Sequence, residues 1–358
     1  MVWEKLRYNK QEINRAGKIL ANNNTTPEEK IRAISILDNW RAVHGYPMHI
    51  FQMTLKKKAM KVDKEALISQ RLKRASSIIY KLQRKYGGRE PSMMLYQMQD
   101  IGGCRAVVSN VKLAKELYEK HYLKGDLKHK LVNKKDYINE PKPDGYRSLH
   151  LIYAYKSDKN KKEFNGLLTE VQIRSRLQHL WATAVETAGF LTRQAIKSNE
   201  AEPRWLEFFK LISSAFAIME GCPTIPNTPA DKEELCNEIK NKERELNFIE
   251  KMENWSNAID YINREIKPKI KHKAKFFLLE LDIPGKKTII KTYNENEEEK
   301  AIGDYSNLEK RHFEDKDYDI VLVGADNIND LKKAYPSYFL DTAEFLRLLR
   351  RIVLLKCL

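Results

Sequence analysis

Ser69–Gly88, SQRLKRASSIIYKLQRKYGG, is the stretch on which the reading of the whole chain turns. Taken as a helix, it opens on an N-cap serine at Ser69 and stops at the Gly87–Gly88 pair. Lys73, Ser77 and Lys81 then fall four residues apart on one face. Two ammonium groups flanking a hydroxyl suit a chain of phosphates, which takes cationic charge and a short donor. Arg71, just ahead of that ridge, carries a flat guanidinium able to stack on an aromatic base. The ordinary alternative is a solvated basic face on an amphipathic helix, and residues downstream decide between the two.

The chain has 358 residues, with 65 Lys and Arg against 49 Asp and Glu, a formal charge of +16. That excess favours a polyanionic partner or substrate and carries no information on fold. The length allows roughly two or three domains and a substantial core. Cys104, Cys222, Cys236 and Cys357 are scattered without a CxxC pair. They make neither a zinc site nor a disulfide framework, which fits a reducing cytoplasm. The start, MVWEKLRYNKQ, has no signal-peptide apolar region. No apolar run reaches the ~18 residues of a membrane span, so a membrane is not an expected partner.

Residues up to about Lys64 read as helices, with Asn24–Glu29 (NTTPEE) as a capped start. Between Leu55 and Lys85 there are eleven Lys or Arg and only two acids, Asp63 and Glu65. That density, which includes Lys56, Lys57 and Lys58, is the clearest polyanion footprint in the chain. The pattern then changes to strands. Cys104–Val108, Ser148–Tyr155 and Leu167–Arg174 alternate or run apolar between Gly and Pro turns. In the last of these, Glu170, Gln172 and Arg174 point one way and Val171 and Ile173 the other. Pro203–Gly221 is an apolar helix, and a charged amphipathic helix follows it as far as Pro268. Beyond Lys269–Lys273 a smaller unit is expected: strands at Phe276–Ile283, Thr288–Thr292 and Asp319–Val323, with helices at Glu297–Lys310 and within Asn329–Leu349. Strands interleaved with helices predict an α+β fold, a mixed sheet flanked by helices.

Four short patterns carry chemistry: Arg71-x-Lys73-x3-Ser77-x3-Lys81, Asp100-x2-Gly103-x-Arg105, Lys142-Pro-Asp-Gly-Tyr146-x3-His150, and Glu170-Val-Gln172-Ile-Arg174 followed by His179 and Glu186. Each alone has a structural explanation, but their joint occurrence by chance is improbable. Together they resemble the synthetase domain of the RelA/SpoT family, over roughly Ala66–Glu186. The resemblance implies a nucleotidyltransferase-type sheet and transfer of a diphosphate from ATP to a ribose 3′-hydroxyl. It implies that Arg71 and Arg105 sandwich the adenine while Lys73, Ser77 and Lys81 hold the phosphates of ATP. Asp100 and Glu170 would be catalytic and hold Mg²⁺, Glu170 also accepting the proton of the attacking hydroxyl. Tyr146 would stack on the base of the acceptor, with Lys142, His150, Gln172 and Arg174 around its phosphates. No His-Asp dipeptide of the kind that marks the family's hydrolase domain occurs in the sequence.

The family contains alarmone synthetases that act on free nucleotides, and a toxic group, toxSAS, that modifies the 3′-CCA end of tRNA. The basic helices and a second cluster at Lys128, Lys130, Lys134 and Lys135 favour tRNA as the partner; free guanosine or adenosine nucleotides are the alternative. The C-terminal unit, residues 271–358 against 1–270 for the synthetase part, resembles the pseudo-zinc-finger-like antitoxin domain of the CapRel type. That resemblance implies a phage-defence protein held inactive by its own C-terminal domain. Tyr335 and Tyr338 would plug the ATP site until a phage protein, the major capsid protein, releases them. Ordinary core packing is the other reading of these tyrosines.

Overall fold

The structure is a computed structural model and describes residues 3–22, 24–84, 91–192, 196, 201–253, 274–282, 285, 287–312, 315, 317–324 and 342–355. Three helices open it: α1 (Lys10–Ala21), α2 (Pro27–Ala42) and α3 (Gly45–Val62). The start of α2 follows its sequence signal. Thr26 and Glu29 form a reciprocal capping box, and Pro27 takes the first turn, where its missing N–H costs nothing.

The single helix expected from Ser69 does not form. Leu67–Leu72 is strand β1, and helix α4 (Ala75–Gln83) begins only after it. Ser69, expected as an N-cap, is 2% exposed and lies opposite Arg105 of strand β2 (Gly102–Val108). Ladder bonds to strands distant in sequence outweigh the local spacing here. Ser77 and Lys81 keep their four-residue spacing on α4, while Lys73 sits in the turn before it, its amide donating to the Ile101 carbonyl at 2.8 Å. Gly87 and Gly88 lie outside the described residues.

Next come α5 (Val111–Glu116), β3 (Lys130–Asp136), β4 (Leu149–Ala154), β5 (Leu168–Ser175), α6 (Arg176–Thr192), α7 (Pro203–Met219) and α8 (Lys232–Leu246). The C-terminal part contributes β6 (Phe276–Asp282), β7 (Lys287–Tyr293), α9 (Glu298–Arg311), β8 (Tyr318–Gly324) and α10 (Ala343–Leu355). All eight described strands form one mixed sheet in the order β3-β4-β5-β2-β1-β8-β6-β7. β2 and β5 run parallel and the other described neighbours antiparallel. Among the described residues β8 meets β1 at Gln70↔Gly324 and Arg71↔Val323, and it meets β6 over the whole of Tyr318–Gly324. The expected boundary near 270 falls in 254–273, outside the described residues.

The alternation of the central strands sorts the sheet into two faces. Cys104, Ala106 and Val108 of β2, Leu149 and Leu151 of β4, and Val171 and Ile173 of β5 turn to one side. There they share a core with Phe51, Leu55 and Ala59 of α3. The opposite face carries the polar side chains. A second core joins α6, α7 and α8 to α10 through Trp181, Phe208, Phe209, Phe248 and Phe345.

His44, at the mouth of α3, is 1% exposed, and its Nδ1–H donates to the Trp40 carbonyl at 2.7 Å. Burial pushes its pKa down from 6.5 to about 4, so between these values the unfolded chain holds the extra proton. Stability is therefore full above pH 6.5 and is lost as pH falls toward 4, by about 3 kcal/mol for this group. Urea midpoints at pH 7.5 and pH 4.5 should show that loss, and His44→Gln should flatten it.

Candidate active site

The polar face of the sheet is set by register. Arg71 of β1 lies opposite Gly103, and Gly103 lies beside Glu170 of β5; Ser69 lies opposite Arg105, and Arg105 beside Gln172. His150 of β4 pairs with Gln172 on the other side. Arg71, Arg105, Glu170, Gln172 and His150 thus leave the same face in two adjacent rows, and glycine at 103 keeps the row between Arg71 and Glu170 open. These residues line one cavity of about 870 Å³ with Lys73, Ser77, Lys81, Asp100, Lys142, Tyr146 and Arg174. That volume lies within the range of about 300–1,000 Å³ typical of ligand pockets.

At one end, Asp100 is bracketed by two lysines. Its Oδ2 accepts from Lys73 Nζ and its Oδ1 from Lys81 Nζ, both at 3.0 Å. Burial pushes its carboxyl up, but the two ammonium groups outweigh this and bring it to about 2. α4 thus holds Lys81 one turn beyond Ser77, and the turn before it supplies Lys73.

At the other end the polar groups close into a ring. His150 Nδ1 lies 2.8 Å from Glu170 Oε1, and His150 Nε2 lies 2.7 Å from the Tyr146 hydroxyl. Arg174 donates to that hydroxyl at 2.6 Å and to Gln172 Oε1 at 3.3 Å. Gln172 Nε2 donates back to Glu170 Oε2 at 2.7 Å. Arg105 Nε also donates to Gln172 Oε1 at 3.3 Å, tying β2 into the ring. Burial disfavours every charge here, yet the neighbours decide the outcome. His150 is pushed up by Tyr146 and Glu170, Glu170 down by His150, and Tyr146 down by Arg174 and His150.

The turn carrying Tyr146 is fixed by Gly145, whose φ of +97° admits no ordinary side chain and where a Cβ would come within 2.8 Å of Trp181. Ser213 of α7 donates to the Gly145 carbonyl at 2.6 Å. Lys142 Nζ lies 5.0 Å from the centre of the Tyr146 ring, a cation–π distance.

Asp100, just ahead of β2, and Glu170, within β5, line the same cavity. Among the described residues no group of three or more His, Cys, Asp or Glu side chains is placed to hold a metal. Two carboxylates with substrate phosphates completing the shell are the usual protein share of a Mg²⁺ site, so these residues fit that ion.

The basic residues assigned to tRNA are not all alike. Lys58 is half-buried, donating to the His121 carbonyl and lying 5.3 Å from the Tyr122 ring centre. Lys57, Lys128 and Lys130 are exposed and Lys56 half-buried, all outside the cavity lining, whereas Lys134 and Lys135 of β3 are part of it. Tyr335 and Tyr338 lie outside the described residues.

Sequence reading missed Arg74. It lines the cavity, forms an ion pair with Asp319 of β8, and lies 3.9 Å from Glu186 of α6. Its only sequence signal was adjacency to Lys73. Apolar residues from α6 and α7, among them Trp181, Val185 and Leu206, complete the far wall of the cavity.

Residues 70–189, a stretch that holds every cavity residue named in the paired rows except Ser69, match the family described as "Region found in RelA / SpoT proteins". GTP pyrophosphokinase YjbM of Bacillus subtilis (strain 168) is 34% identical over 119 residues, which are 32% of this chain and 52% of that protein. GTP pyrophosphokinase YwaC of the same organism is 36% identical over 115 residues, again 32% and 52%. The chain spans about half the length of the curated relatives it matches. Among solved structures, the small alarmone synthetase 1 from Bacillus subtilis aligns with a TM-score of 0.40 at 24% identity, covering 49% of this chain and 87% of that one. Among the described residues no helix is long and apolar enough to cross a membrane.

Proposed function

We propose that this chain is an ATP-dependent pyrophosphokinase. The observation that carries the reading is the pairing of Asp100 and Glu170 across one cavity, the first held by two lysines and the second by a histidine and an amide. Lys73, Ser77 and Lys81 take the phosphates of ATP, and Arg71 and Arg105 take its adenine. An acceptor 3′-hydroxyl oxygen attacks the β-phosphorus, the bond from that phosphorus to the oxygen bridging it to the α-phosphorus breaks, and AMP leaves. Glu170 accepts the hydroxyl proton. Such a transfer needs alignment and charge neutralisation more than covalent chemistry from the protein. Bound Mg²⁺ at Asp100 and Glu170 supplies further neutralisation of the phosphate charge.

The acceptor in this proposal is the 3′ end of tRNA. Lys134 and Lys135 on the cavity rim, with exposed Lys128 and Lys130 farther along the same edge, support that reading. Free guanosine nucleotides are the second reading, favoured by the names of the two Bacillus relatives. Chain incubated with ATP labelled at its β-phosphorus and with deacylated tRNA, GDP, GTP or ADP separates them. Label on tRNA supports the first and label on a tetra- or pentaphosphate the second, while label remaining on ATP with every acceptor removes both. Replacing Lys128 and Lys130 by Glu is expected to lower kcat/KM for tRNA by about tenfold at low salt. The KM for ATP should change far less.

The proposal extends to control, in which the C-terminal part keeps the enzyme quiet until a phage protein binds. The contacts of α9 and β8 with the turn before α4 support it, since that turn presents Lys73 and Arg74 to the cavity.

A further inference from the structure

Gln172 Oε1 faces both Arg105, on the side the proposed function gives to the donor, and Arg174, on the side it gives to the acceptor. Its orientation is settled by its neighbours. The oxygen faces two guanidinium groups, Arg105 and Arg174, and the nitrogen faces the Glu170 carboxylate. The flipped amide would set its NH₂ against two cations and its oxygen against an anion. Both bonds to Oε1 are 3.3 Å, at the long end of the hydrogen-bond range, while the bond to Glu170 is 2.7 Å. One acceptor is thus shared between two donors that serve different substrates.

We infer that Gln172 is a positioning residue that couples the two substrate subsites. The inference rests on the pyrophosphokinase reading. When Arg105 turns its guanidinium onto the donor, its claim on Gln172 Oε1 weakens and that oxygen passes to Arg174. Arg174, already on the Tyr146 hydroxyl at 2.6 Å, is then fixed at both ends, and the acceptor meets an ordered Tyr146. Donor binding therefore tightens acceptor binding, and by linkage the acceptor tightens the donor by the same factor. The Glu170 bond keeps the amide from rotating, so the exchange happens without disturbing the proton acceptor.

The test uses the full chain and an ATP analogue with a methylene between the α- and β-phosphorus atoms, which cannot transfer its diphosphate. GDP and deacylated tRNA are each titrated calorimetrically with and without saturating analogue. The unmodified chain is expected to bind its acceptor about five- to tenfold tighter with the analogue present. Gln172→Met, of similar length but with no polar atoms, should lose the tightening, read as the ratio of acceptor affinities with and without analogue whatever its affinity for each ligand alone, with an unfolding midpoint near that of the parent. Gln172→Glu keeps an oxygen for both guanidiniums and replaces the donor to Glu170. It should keep the tightening and lose turnover. No tightening in the parent, or tightening that survives in Gln172→Met, overturns the coupling. Turnover of the parent is measured alongside. Transfer without tightening removes the coupling alone, and absence of transfer to any acceptor removes the pyrophosphokinase reading with it.

Discussion

Glu170→Gln is expected to lower diphosphate transfer by about 10³-fold or more while the chain stays folded. The substitution keeps the shape of the side chain and an oxygen facing its neighbours. It removes the negative charge that the proposed function gives to Mg²⁺ and to the attacking hydroxyl. The ring around it explains why the fold should survive. Gln172 remains held by Arg105 and Arg174, and His150 by the Tyr146 hydroxyl. Removing the carboxylate also removes a partner that raises the His150 pKa, so this histidine should titrate at lower pH in the variant. Single-turnover measurement of AMP release, together with the His150 ring shifts by NMR, checks both parts. A variant that transfers at more than about a tenth of the parental rate would show that proton acceptance and metal binding lie elsewhere.

The second large effect is on stability. Arg41→Ala is expected to lower the unfolding free energy by about 3–5 kcal/mol, a sizeable share of the total for most proteins. Arg41 is 3% exposed and joins three parts of the chain. Its Nε donates to the Lys73 carbonyl at 2.9 Å, its NH1 to Glu309 at 2.6 Å and its NH2 to the Tyr305 hydroxyl at 2.5 Å. Burial opposes its charge, but Glu309, Tyr305 and Asp38 together more than offset this, so the guanidinium stays protonated. Without it, Glu309 is left largely buried, with the Ala75 amide at 3.1 Å still bonded to it. Arg41→Lys should recover only part of the loss, because one ammonium cannot span the three acceptors that the planar fork reaches. The double variant Arg41→Ala with Glu309→Gln should cost less than the two single changes added together, since it removes both charges. Guanidinium unfolding of the parent and the four variants measures this.

What the sequence disclosed and what it hid divide along contact distance. The strands at 102–108, 149–154 and 168–175 showed because their alternation is local and short turns bound them. The acidic helix at 298–311 showed through its charge and apolar spacing. β1 was mistaken for the head of a helix because Leu67–Leu72 gains its ladder bonds from strands on either side that sequence spacing cannot reveal. β3 was overlooked because KLVNKKD is a lysine-rich edge strand, the composition that edges use against unwanted pairing. Within the site, Glu170, Gln172 and Arg174 could be placed on one face from their period of two. Closure of the ring through His150 and Tyr146 depends on the register of β4 against β5, which no local pattern gives. The Arg41–Glu309 and Arg74–Asp319 pairs join residues more than two hundred positions apart.

The pairing of β1 with β8 bears on how the protein is made. The partner for the outer edge of β1 leaves the ribosome about 250 residues after β1 does. At a synthesis rate of about 5–20 residues per second, that edge stays bare for some tens of seconds while the strands on its other side can already assemble. A nascent chain therefore passes through a stage with an open sheet margin beside Arg71, at which a foreign strand can compete for the place that β8 later takes.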